Sequence, residues 1–297
     1  MARQSRDFTR TETSFDAASH RRLLEQFLVE DLGADDLTTI ATVQPERQAE
    51  GRFMAKSPMV LAGIDIAFEV FRLLDHNLAA TTPWRDGDAL NPGDVPGSLR
   101  GRARALLSGE RVALNLLQHL SGIATLTRKY VDAVAGTAAK ILDTRKTTPG
   151  LRVFEKYAVR VGGGANHRSS LNDAILIKEN HVRMAGGIGL AISAARAQRS
   201  RARFLEVEVT TLEELDEALK GSPEIILLDN MTPQAVGEAA RVAQARKSGI
   251  LLEASGGITL ESVRLYAEAG VDWISVGALT HSAPAADLSL EVEPLKN

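Results

Sequence analysis

The spacing of apolar residues divides the chain into two parts with different rhythms. In the first part, apolar residues recur at helical spacing between Phe15 and Leu32 and predict a helix there. The pattern also predicts helices at 64–74 and 109–134, strands around 51–55, 60–63 and 99–107, and loops at DLGADDLTT and 84–97. These elements indicate an α+β unit in which a few antiparallel strands carry helices on one face.

The second part alternates short apolar runs with helical segments. The apolar runs end at Asp143, Lys178, Glu208, Asp229, Ala254 and Val276. Helical segments lie between most of them, including 212–219, 233–247 and 260–269. This alternation indicates right-handed βαβ crossovers and therefore a parallel sheet.

Polar or glycine-rich residues follow each of the six predicted parallel strands, as in DTRK, KENH, EVEV, DNM, EASGG and SVGA. In a closed α/β barrel these strand ends share one face, and that face carries the active site. An open doubly wound sheet also gathers polar residues at its carboxyl ends, so this alternative stays open. We favour the barrel because polar residues follow every strand, and six strands instead of eight predict a small or incomplete one.

The change of rhythm also predicts the domain organisation. We expect a first α/β domain at 1–115 and a barrel domain at 116–280, with 281–297 packing back on the first. The first 15 residues are polar and basic without an apolar core, so we expect a frayed tail there and no secretory signal.

Composition narrows the class of protein. The 297 residues are 44% hydrophobic and 25% charged, which is typical of a globular protein. A net charge of −3 gives no general reason to expect nucleic-acid binding. The absence of cysteine excludes disulfides, thiolate nucleophiles and zinc–sulfur sites. No apolar run reaches the roughly 18–20 residues that span a bilayer, so a cytoplasmic protein without membrane contacts is expected.

The strongest local signal is a cluster of cationic residues at the first two predicted parallel strands. Five of them fall within 34 residues, namely Arg145, Lys146, His167, Arg168 and Lys178. Arginine binds carboxylates and phosphates in a bidentate manner, whereas lysine acts as a point charge. Single charges of this kind are usually solvated surface residues, but the set follows strand ends and a glycine turn. The cluster therefore predicts a strongly anionic ligand, such as a dicarboxylate beside a polyphosphate.

Carboxylates follow the next strands. Glu206 and Glu208 lie on the same side of one strand, and Asp229 ends the following one. Carboxylates at a barrel mouth suit a divalent cation, ribose hydroxyls or a developing positive charge. The alternative is that they form structural salt bridges with the cations, which we favour more for Glu206 and Glu253 than for Glu208 and Asp229.

Glycine-rich turns follow the last two strands, as ASGGI at 254–258 and SVGAL at 275–279. Glycine lets backbone N–H groups approach an anion closely, and barrels often bind phosphate after their final strands. Either turn alone has the alternative of a simple tight turn. Because they occur as a pair on successive strands, they predict a phosphate site.

Longer segments of the chain resemble one enzyme family. They are GERVALNLLQHLSGIATLT, ILDTRKTTPGLRVFEKYAVRVGGGANHR, DAILIKENHV, LEVEV, IILLDNM, LLEASGGI and ISVGALTHSAP. These segments resemble the quinolinate phosphoribosyltransferases, the carboxylating nicotinate-nucleotide pyrophosphorylases of NAD biosynthesis, from about Leu24 to Pro284. The resemblance implies an N-terminal α/β sandwich domain plus an incomplete parallel α/β barrel. It also implies that quinolinate and phosphoribosyl pyrophosphate react, with Mg2+, to give nicotinate mononucleotide, pyrophosphate and CO2.

The resemblance further implies roles for individual residues. The quinolinate carboxylates are implied to bind Arg145, His167, Arg168, Lys178 and Arg111. Arg111 alone, beside Glu110, is typical of a helix-surface charge; by resemblance, a neighbouring subunit of a dimer or hexamer contributes it. The phosphoribosyl donor is implied to bind Lys146, Glu208, Asp229, Ser255, Gly256, Gly257 and Gly277. The expected catalytic residues are Lys146, Glu208 and Asp229, and Mg2+ is expected on the donor pyrophosphate and at Glu208 or Asp229.

The chain departs from the family pattern at a few positions. Asp35 stands where glycine is usual, Ser170 stands where glycine is common, and Glu179 replaces aspartate in KENH. Of these, Glu179 is expected to matter most, since it shifts a carboxylate near the metal or donor. Two alternatives stay open, namely a related transferase that acts on another acceptor without releasing CO2, and a catalytically silent protein on the same scaffold.

Overall fold

The computed structural model describes residues 8–9, 12–199, 201–246 and 249–295 of the chain. The expected frayed tail therefore lies largely outside the described residues. The chain forms two compact units. The antiparallel unit comprises Glu12–Arg128, Thr148–Gly163 and Ser282–Asn297, and the parallel unit comprises Met1–Thr11, Lys129–Thr147 and Gly164–His281. The predicted domains 1–115 and 116–280 stay a prediction, because compactness alone does not define a domain boundary.

The antiparallel unit is built on a four-stranded sheet and a two-stranded ribbon. Its strands are β1 Gln48–Ala55, β2 Met59–Val60, β3 Ala79–Thr81, β4 Ala89–Leu90, β5 Ser98–Arg102 and, from the C-terminal end of the chain, β12 Leu288–Pro294. The sheet has the order β12-β1-β5-β3 with antiparallel pairing throughout, and β2 pairs with β4. Alternate residues of β1 are buried, including Phe53, so one face of the sheet supplies the core.

Helices cover this core. They are a short 3-10 helix at Ala17–His20, α1 Arg21–Leu32, α2 Leu37–Thr42, α3 Ile64–Leu74, α4 Ala103–Ala133 and α5 Arg152–Val161. Asp36 caps α2 by accepting a hydrogen bond from the backbone N–H of Thr39 at 2.9 Å. Helix α3 is apolar nearly all round and is largely buried. The last residues of α4, from Lys129, belong to the parallel unit.

The parallel unit contains six parallel strands with helices after most of them. The strands are β6 Lys140–Leu142, β7 Ile175–Ile177, β8 Leu205–Val209, β9 Ile225–Asp229, β10 Leu251–Ser255 and β11 Trp273–Ser275. The helices are α6 Glu179–Ala185, α7 Ile188–Ala197, α8 Leu212–Gly221, α9 Pro233–Ala245, α10 Val263–Glu268 and α11 Ala278–His281. Thr211 and Thr232 cap α8 and α9 with their side chains, which explains why both helices begin where they do.

The order of these strands is that of an incomplete barrel. The sheet runs β6-β11-β10-β9-β8-β7, so the first strand pairs with the last. Within the part of the chain that the structure describes, only the step from β6 to β7 is unpaired. The segment that follows α5 lies in this gap, since Ala165 forms a parallel bridge with Leu142 of β6. The prediction of an incomplete α/β barrel is confirmed, and the alternative of an open doubly wound sheet is excluded because its strand order does not return to the first strand.

Several predicted elements need correction in the antiparallel unit. The strand predicted at 99–107 ends at Arg102, and α4 begins at Ala103 instead of 109. No turn separates the two elements, so the apolar pattern continues across the junction. The predicted loop DLGADDLTT contains the start of α2, and the predicted loop 84–97 contains β4. None of the helices that the structure describes is both long and apolar enough to cross a membrane, and the predicted cytoplasmic location stays a prediction.

Candidate functional site

A cavity of about 820 Å³ lies at the carboxyl ends of the six parallel strands. Every residue that lines it belongs to the parallel unit. The lining includes the predicted site residues Arg145, Lys146, His167, Arg168, Lys178, Glu208, Asp229, Ser255, Gly256, Gly257 and Gly277. Arg111 is not among them; it is exposed on α4 within the antiparallel unit. The barrel therefore brings together, in one chain, all predicted site residues except this arginine.

Two arginines form the cationic side of the cavity. Arg168 is 7% exposed, and its guanidinium Nη1 donates to the carbonyl oxygen of Ala174 at 3.1 Å. Burial and the neighbouring charge of Arg145 lower the pKa of Arg168, while Glu206 and Asp173 oppose this shift. Arg145 Nε is buried and finds no hydrogen-bond partner among the residues that the structure describes. A buried guanidinium N–H without an acceptor is costly, so this site suits an anionic ligand that supplies one.

His167 joins the cavity to a pair of buried carboxylates. Its Nε2 lies 2.9 Å from Glu206 Oε2 and 3.4 Å from Glu253 Oε2, and all three side chains are at most 7% exposed. On the other side of the ring, the backbone N–H of Arg168 donates to Nδ1 at 2.8 Å. Burial alone would lower the pKa of His167, but Glu253 and Glu206 raise it well above its ordinary value. The salt-bridge alternative for these two glutamates therefore describes their contacts correctly.

A second acidic pair lies nearer the mouth of the barrel. Glu208 pairs with Lys178, and Asp229 accepts a hydrogen bond from Asn230 Nδ2 at 2.7 Å. Burial and the charge of Glu208 raise the pKa of Asp229, while Lys178 and other cations oppose the shift. The two carboxylates are thus close enough to repel each other, and a cation placed between them would relieve this repulsion.

The two glycine-rich turns approach other parts of the cavity closely. Gly256 has φ of +95°, and a Cβ at this position would stand 2.2 Å from Asn230 Oδ1. Asn230 itself has a left-handed backbone with φ of 54°, and its N–H donates to the carbonyl oxygen of Ser255 at 2.9 Å. At Gly277, a Cβ would stand 3.0 Å from Lys146 Cδ, so the lysine stem lies directly over this turn. At Gly256 only glycine leaves room for the contact, whereas a Cβ at Gly277 would require the lysine stem to move by a few tenths of an ångström.

The cavity also contains residues that the sequence did not single out. Asn230, Thr259 and His281 line it, as does Asp143 at the end of β6. Asn230 follows Asp229 in a strand-to-helix turn, where asparagine is favoured because it tolerates a left-handed backbone. That preference was a usable signal for Asn230. The sequence offers no such signal for His281, because this residue lies at the end of the short helix that follows the glycine turn.

The departures from the family pattern lie away from the cavity lining. Glu179 is exposed on the first turn of α6 and pairs with Arg183 on the next turn. Ser170 donates a hydrogen bond to Asn172 in the loop after the cationic segment. The side chain of Glu179 is directed to Arg183 and is not part of the cavity lining, and its expected effect near the metal or donor stays a prediction.

Comparison with family models matches almost the whole chain. The description "Quinolinate phosphoribosyl transferase, N-terminal domain" matches residues 36–121, and "Quinolinate phosphoribosyl transferase, C-terminal domain" matches residues 123–291. The boundary between the two matches falls within α4, which is the helix that passes from one compact unit to the other.

Individual proteins are similar over a comparable length. The chain is 47% identical over 272 residues to a probable nicotinate-nucleotide pyrophosphorylase [carboxylating] of Bacillus subtilis, covering 92% of this chain and 93% of that protein. It is 45% identical over 289 residues to the Mycobacterium leprae nicotinate-nucleotide pyrophosphorylase [carboxylating], covering 95% and 99%. The crystal structure of NadC from Streptococcus pyogenes superposes with a TM-score of 0.90 at 40% identity, covering 96% of this chain and 100% of that one.

Proposed function

The chain belongs to the quinolinate phosphoribosyltransferase family, and we propose that the cavity of its parallel unit is where the two substrates of this family react. The enzyme is a decarboxylating pentosyltransferase of NAD biosynthesis. It joins quinolinate to phosphoribosyl pyrophosphate and releases nicotinate mononucleotide, pyrophosphate and CO2.

The buried Nε of Arg145 is the observation that carries the assignment of the acceptor site. This N–H has no acceptor among the described residues. Burial and the nearby positive charge of Arg145 lower the pKa of Arg168. A dicarboxylate placed between the two guanidinium groups satisfies the N–H and removes the repulsion in one step. We therefore assign the quinolinate carboxylates to Arg145, Arg168 and Lys178, with His167 beside them.

The opposite side of the cavity is suited to the phosphoribosyl donor. Gly256 and Gly277 follow β10 and β11 and have no side chain to cover their backbone N–H groups. Ser255, at the end of β10, lies in register with Asp229 and Ser275. Backbone N–H groups in such turns bind phosphate oxygens without steric hindrance from a side chain. Lys146 extends over Gly277 and adds a positive charge there. We assign the donor phosphates to this side, together with Gly257.

The residues present account for the chemistry without a protein nucleophile. The pyridine nitrogen of quinolinate attacks the anomeric carbon, and the bond to pyrophosphate breaks. While the bond to pyrophosphate breaks, the ribose has oxocarbenium character, which Glu208 and Asp229 stabilise; preorganised groups of this kind are typically worth about 3–4 kcal/mol each. The ribosylated ring is a pyridinium, and its positive nitrogen stabilises the electron pair left on the adjacent ring carbon when the carboxylate leaves as CO2. A proton from water then forms the C–H bond of nicotinate mononucleotide at this carbon. The main task of the protein is to align two anions that otherwise repel.

We propose that Mg2+ acts in this site, carried mainly by the donor pyrophosphate. The fit rests on the donor set, since Glu208 and Asp229 provide hard carboxylate oxygens and lie close enough to repel each other. When bound, Mg2+ neutralises charge that accumulates on the leaving pyrophosphate. Chelation of divalent cations is expected to abolish product formation, and added Mg2+ is expected to restore it.

We propose that the active form is at least a homodimer in which the partner subunit contributes Arg111. On the antiparallel unit, α2 packs against α4 through Arg104, which donates to the carbonyl oxygens of Val43 at 2.8 Å and Ile40 at 3.3 Å. Leu37 on α2 and Leu107 on α4 are 78% and 38% exposed. Arg111 lies one helical turn after Leu107 on α4. A second copy of the chain that covers these apolar side chains would also bury the surface that carries Arg111.

The proposal is tested with purified protein, Mg2+, phosphoribosyl pyrophosphate and quinolinate labelled at the carboxylate that leaves. Release of labelled CO2 together with nicotinate mononucleotide is expected. Arg145→Ala is expected to abolish the reaction at low quinolinate, whereas Arg183→Ala, which changes an exposed arginine of α6, serves as the control. Product formation without CO2 would support a related transferase instead, and no product would contradict the assignment.

A further inference from the structure

The interior of the barrel contains two buried carboxylates, at positions where an α/β barrel normally has branched apolar side chains. Glu206 lies on β8 and is 0% exposed, and Glu253 lies on β10 and is 1% exposed. Glu206 Oε1 and both oxygens of Glu253 accept no hydrogen bond from any residue that the structure describes. Burial of two carboxylates carries a large desolvation penalty, which a purely structural role would avoid with apolar residues.

Both carboxylates converge on one ring nitrogen. His167 Nε2 lies 2.9 Å from Glu206 Oε2 and 3.4 Å from Glu253 Oε2. The edges of Phe204 and Trp273 pack against the imidazole ring, with centroids 5.5 and 6.2 Å away. The two aromatic rings exclude water from two sides of the imidazole. Its charge-assisted hydrogen bond to Glu206 therefore lies in an apolar environment.

The hydrogen bonds also fix where the ring carries its proton. The backbone N–H of Arg168 donates to His167 Nδ1 at 2.8 Å, so the neutral ring has its proton at Nε2. The imidazolium carries protons at both ring nitrogens, so it keeps the donor at Nε2 and no longer accepts from the N–H of Arg168 at Nδ1. In either charge state Nε2 is a donor directed at Glu206, which argues against a metal ion at this cluster, because a metal ligand needs the lone pair at Nε2.

His167 belongs to the segment that occupies the gap between β6 and β7. Ala165 bridges to Leu142 on one side, and the N–H of His167 donates to Asp143 Oδ1 at 3.0 Å. In the barrel interior, the side chain of His167 connects this segment to Glu206 and Glu253. Arg168 follows directly, so its position in the cavity depends on the same attachment.

We propose that Glu206 and Glu253 are positioning residues for the dicarboxylate substrate, which they serve by holding His167 and, through the shared backbone, Arg168. This inference rests on the proposed acceptor site. It predicts that the two glutamates affect quinolinate selectively, because the donor is assigned to the turns at Gly256 and Gly277. Glutamine at either position keeps the shape and removes the negative charge that strengthens the contact.

The experiment is a double-mutant cycle with steady-state kinetics. Glu206→Gln is expected to raise the KM for quinolinate about tenfold, as expected when a charge-assisted hydrogen bond becomes a neutral one, with the KM for the donor unchanged. Because Glu206 acts through His167, the variant Glu206→Gln/His167→Asn is expected to be no worse than His167→Asn alone. Glu253→Gln should follow the same pattern, and Glu268→Gln, which alters an exposed ion pair on α10, is the matched control.

The outcomes separate the inference from its alternatives. The inference would be overturned if the effects of Glu206→Gln and His167→Asn on the KM for quinolinate multiplied in the double variant. It would also be overturned if Glu206→Gln raised the KM values for quinolinate and for the donor equally. Nitrogen NMR of His167 in the wild-type protein provides a test that needs no variant: a protonated Nε2 is expected, and an unprotonated one would overturn the inference. A wild-type protein that releases no CO2 contradicts the proposed function instead, while the NMR result still decides the contact.

Discussion

Thr280 Oγ1 donates a hydrogen bond to the carbonyl oxygen of Lys146 at 2.8 Å, and Thr280 is only 2% exposed. This contact ties the first turn of α11 to the loop after β6, two segments that follow neighbouring strands of the barrel. The same loop carries Lys146 over Gly277. The position of a donor-side cation therefore depends on a buried hydroxyl that does not itself reach the substrate.

Removal of this hydroxyl is expected to weaken donor binding. Thr280→Val keeps the shape of the side chain and loses the hydrogen bond, which is worth about 1 kcal/mol net and corresponds to roughly a fivefold rise in the KM for phosphoribosyl pyrophosphate. Thr280→Ser retains the hydroxyl and is expected to stay near the wild-type value. Steady-state kinetics against each substrate measure the effect, and an equal loss in both variants would contradict a role for the hydroxyl.

The two glycines of the ASGGI turn are expected to respond differently to alanine. At Gly256 a Cβ would stand 2.2 Å from Asn230 Oδ1, whereas at Gly257 it would meet no atom within 4 Å. Both have positive φ, so each alanine carries a backbone strain of about 1–2 kcal/mol. Gly256→Ala additionally displaces Asn230 and is expected to lower the free energy of unfolding further. Urea unfolding without substrates measures the difference, and equal losses would argue against the close contact.

The stability of the fold is expected to decline with pH above the ordinary range of histidine. Glu253 and Glu206 outweigh burial and raise the pKa of His167 above its ordinary value of 6.5. The folded chain thus retains a proton that the unfolded chain releases. The resulting stabilisation is fully present below pH 6.5 and is lost as the pH rises through the higher pKa of the folded state.

Urea unfolding at several pH values between about 6 and 9 measures this decline. Glu253→Gln removes one of the charges that raise the pKa of His167, so its free energy of unfolding should change less over the upper part of this range. Glu268→Gln, at the exposed pair with Arg264, should leave the wild-type slope unchanged. An identical slope in wild type and Glu253→Gln would show that Glu253 does not set the protonation of His167.

Mixing two inactive variants tests the proposed contribution of Arg111. If the partner subunit supplies Arg111, a hybrid dimer of an Arg111→Ala chain and an Arg145→Ala chain contains one site in which both arginines are intact. Random exchange of equal amounts is expected to restore about a quarter of the wild-type activity, because half the dimers are hybrids with one complete site. Affinity tags on the two chains verify the exchange. Exchange without recovered activity would mean that each site uses its own Arg111.

The sequence predicted the parallel unit better than the antiparallel one, for a physical reason. Each buried strand of the barrel is a short apolar run that ends abruptly in charged or glycine residues, as at Asp143 and Asp229. In the antiparallel unit, β5 passes into α4 without a turn, and the N–H of Ala103 donates to the carbonyl oxygen of Arg47 at the junction. Nothing local in the sequence marks such a boundary, because a partner far along the chain determines it.

The candidate site shows the same division. Residues at or just after strand ends, such as Glu208 in β8 and Arg145 after β6, were predictable because all the carboxyl ends of parallel strands lie at one face. The contact of His167 with both Glu206 and Glu253 was not, since it depends on β8 and β10 being separated by one strand and on a non-strand segment entering the gap. The pairing of Glu179 with Arg183 on the same helix was likewise not predicted, although the two residues are spaced four apart.

Asp143 has a consequence for how the enzyme responds to its substrate. Its carboxylate accepts from the N–H of His167 at 3.0 Å and from Asn166 Nδ2 at 2.5 Å, so the chain segments that carry Arg145 and Arg168 are joined at one buried group. The segment that recognises the ligand is also the one that completes the ring of strands. A dicarboxylate held by both arginines would therefore link the two segments at the gap between β6 and β7, where the strands are not paired. Saturation with quinolinate is expected to slow local opening there and to raise the melting temperature.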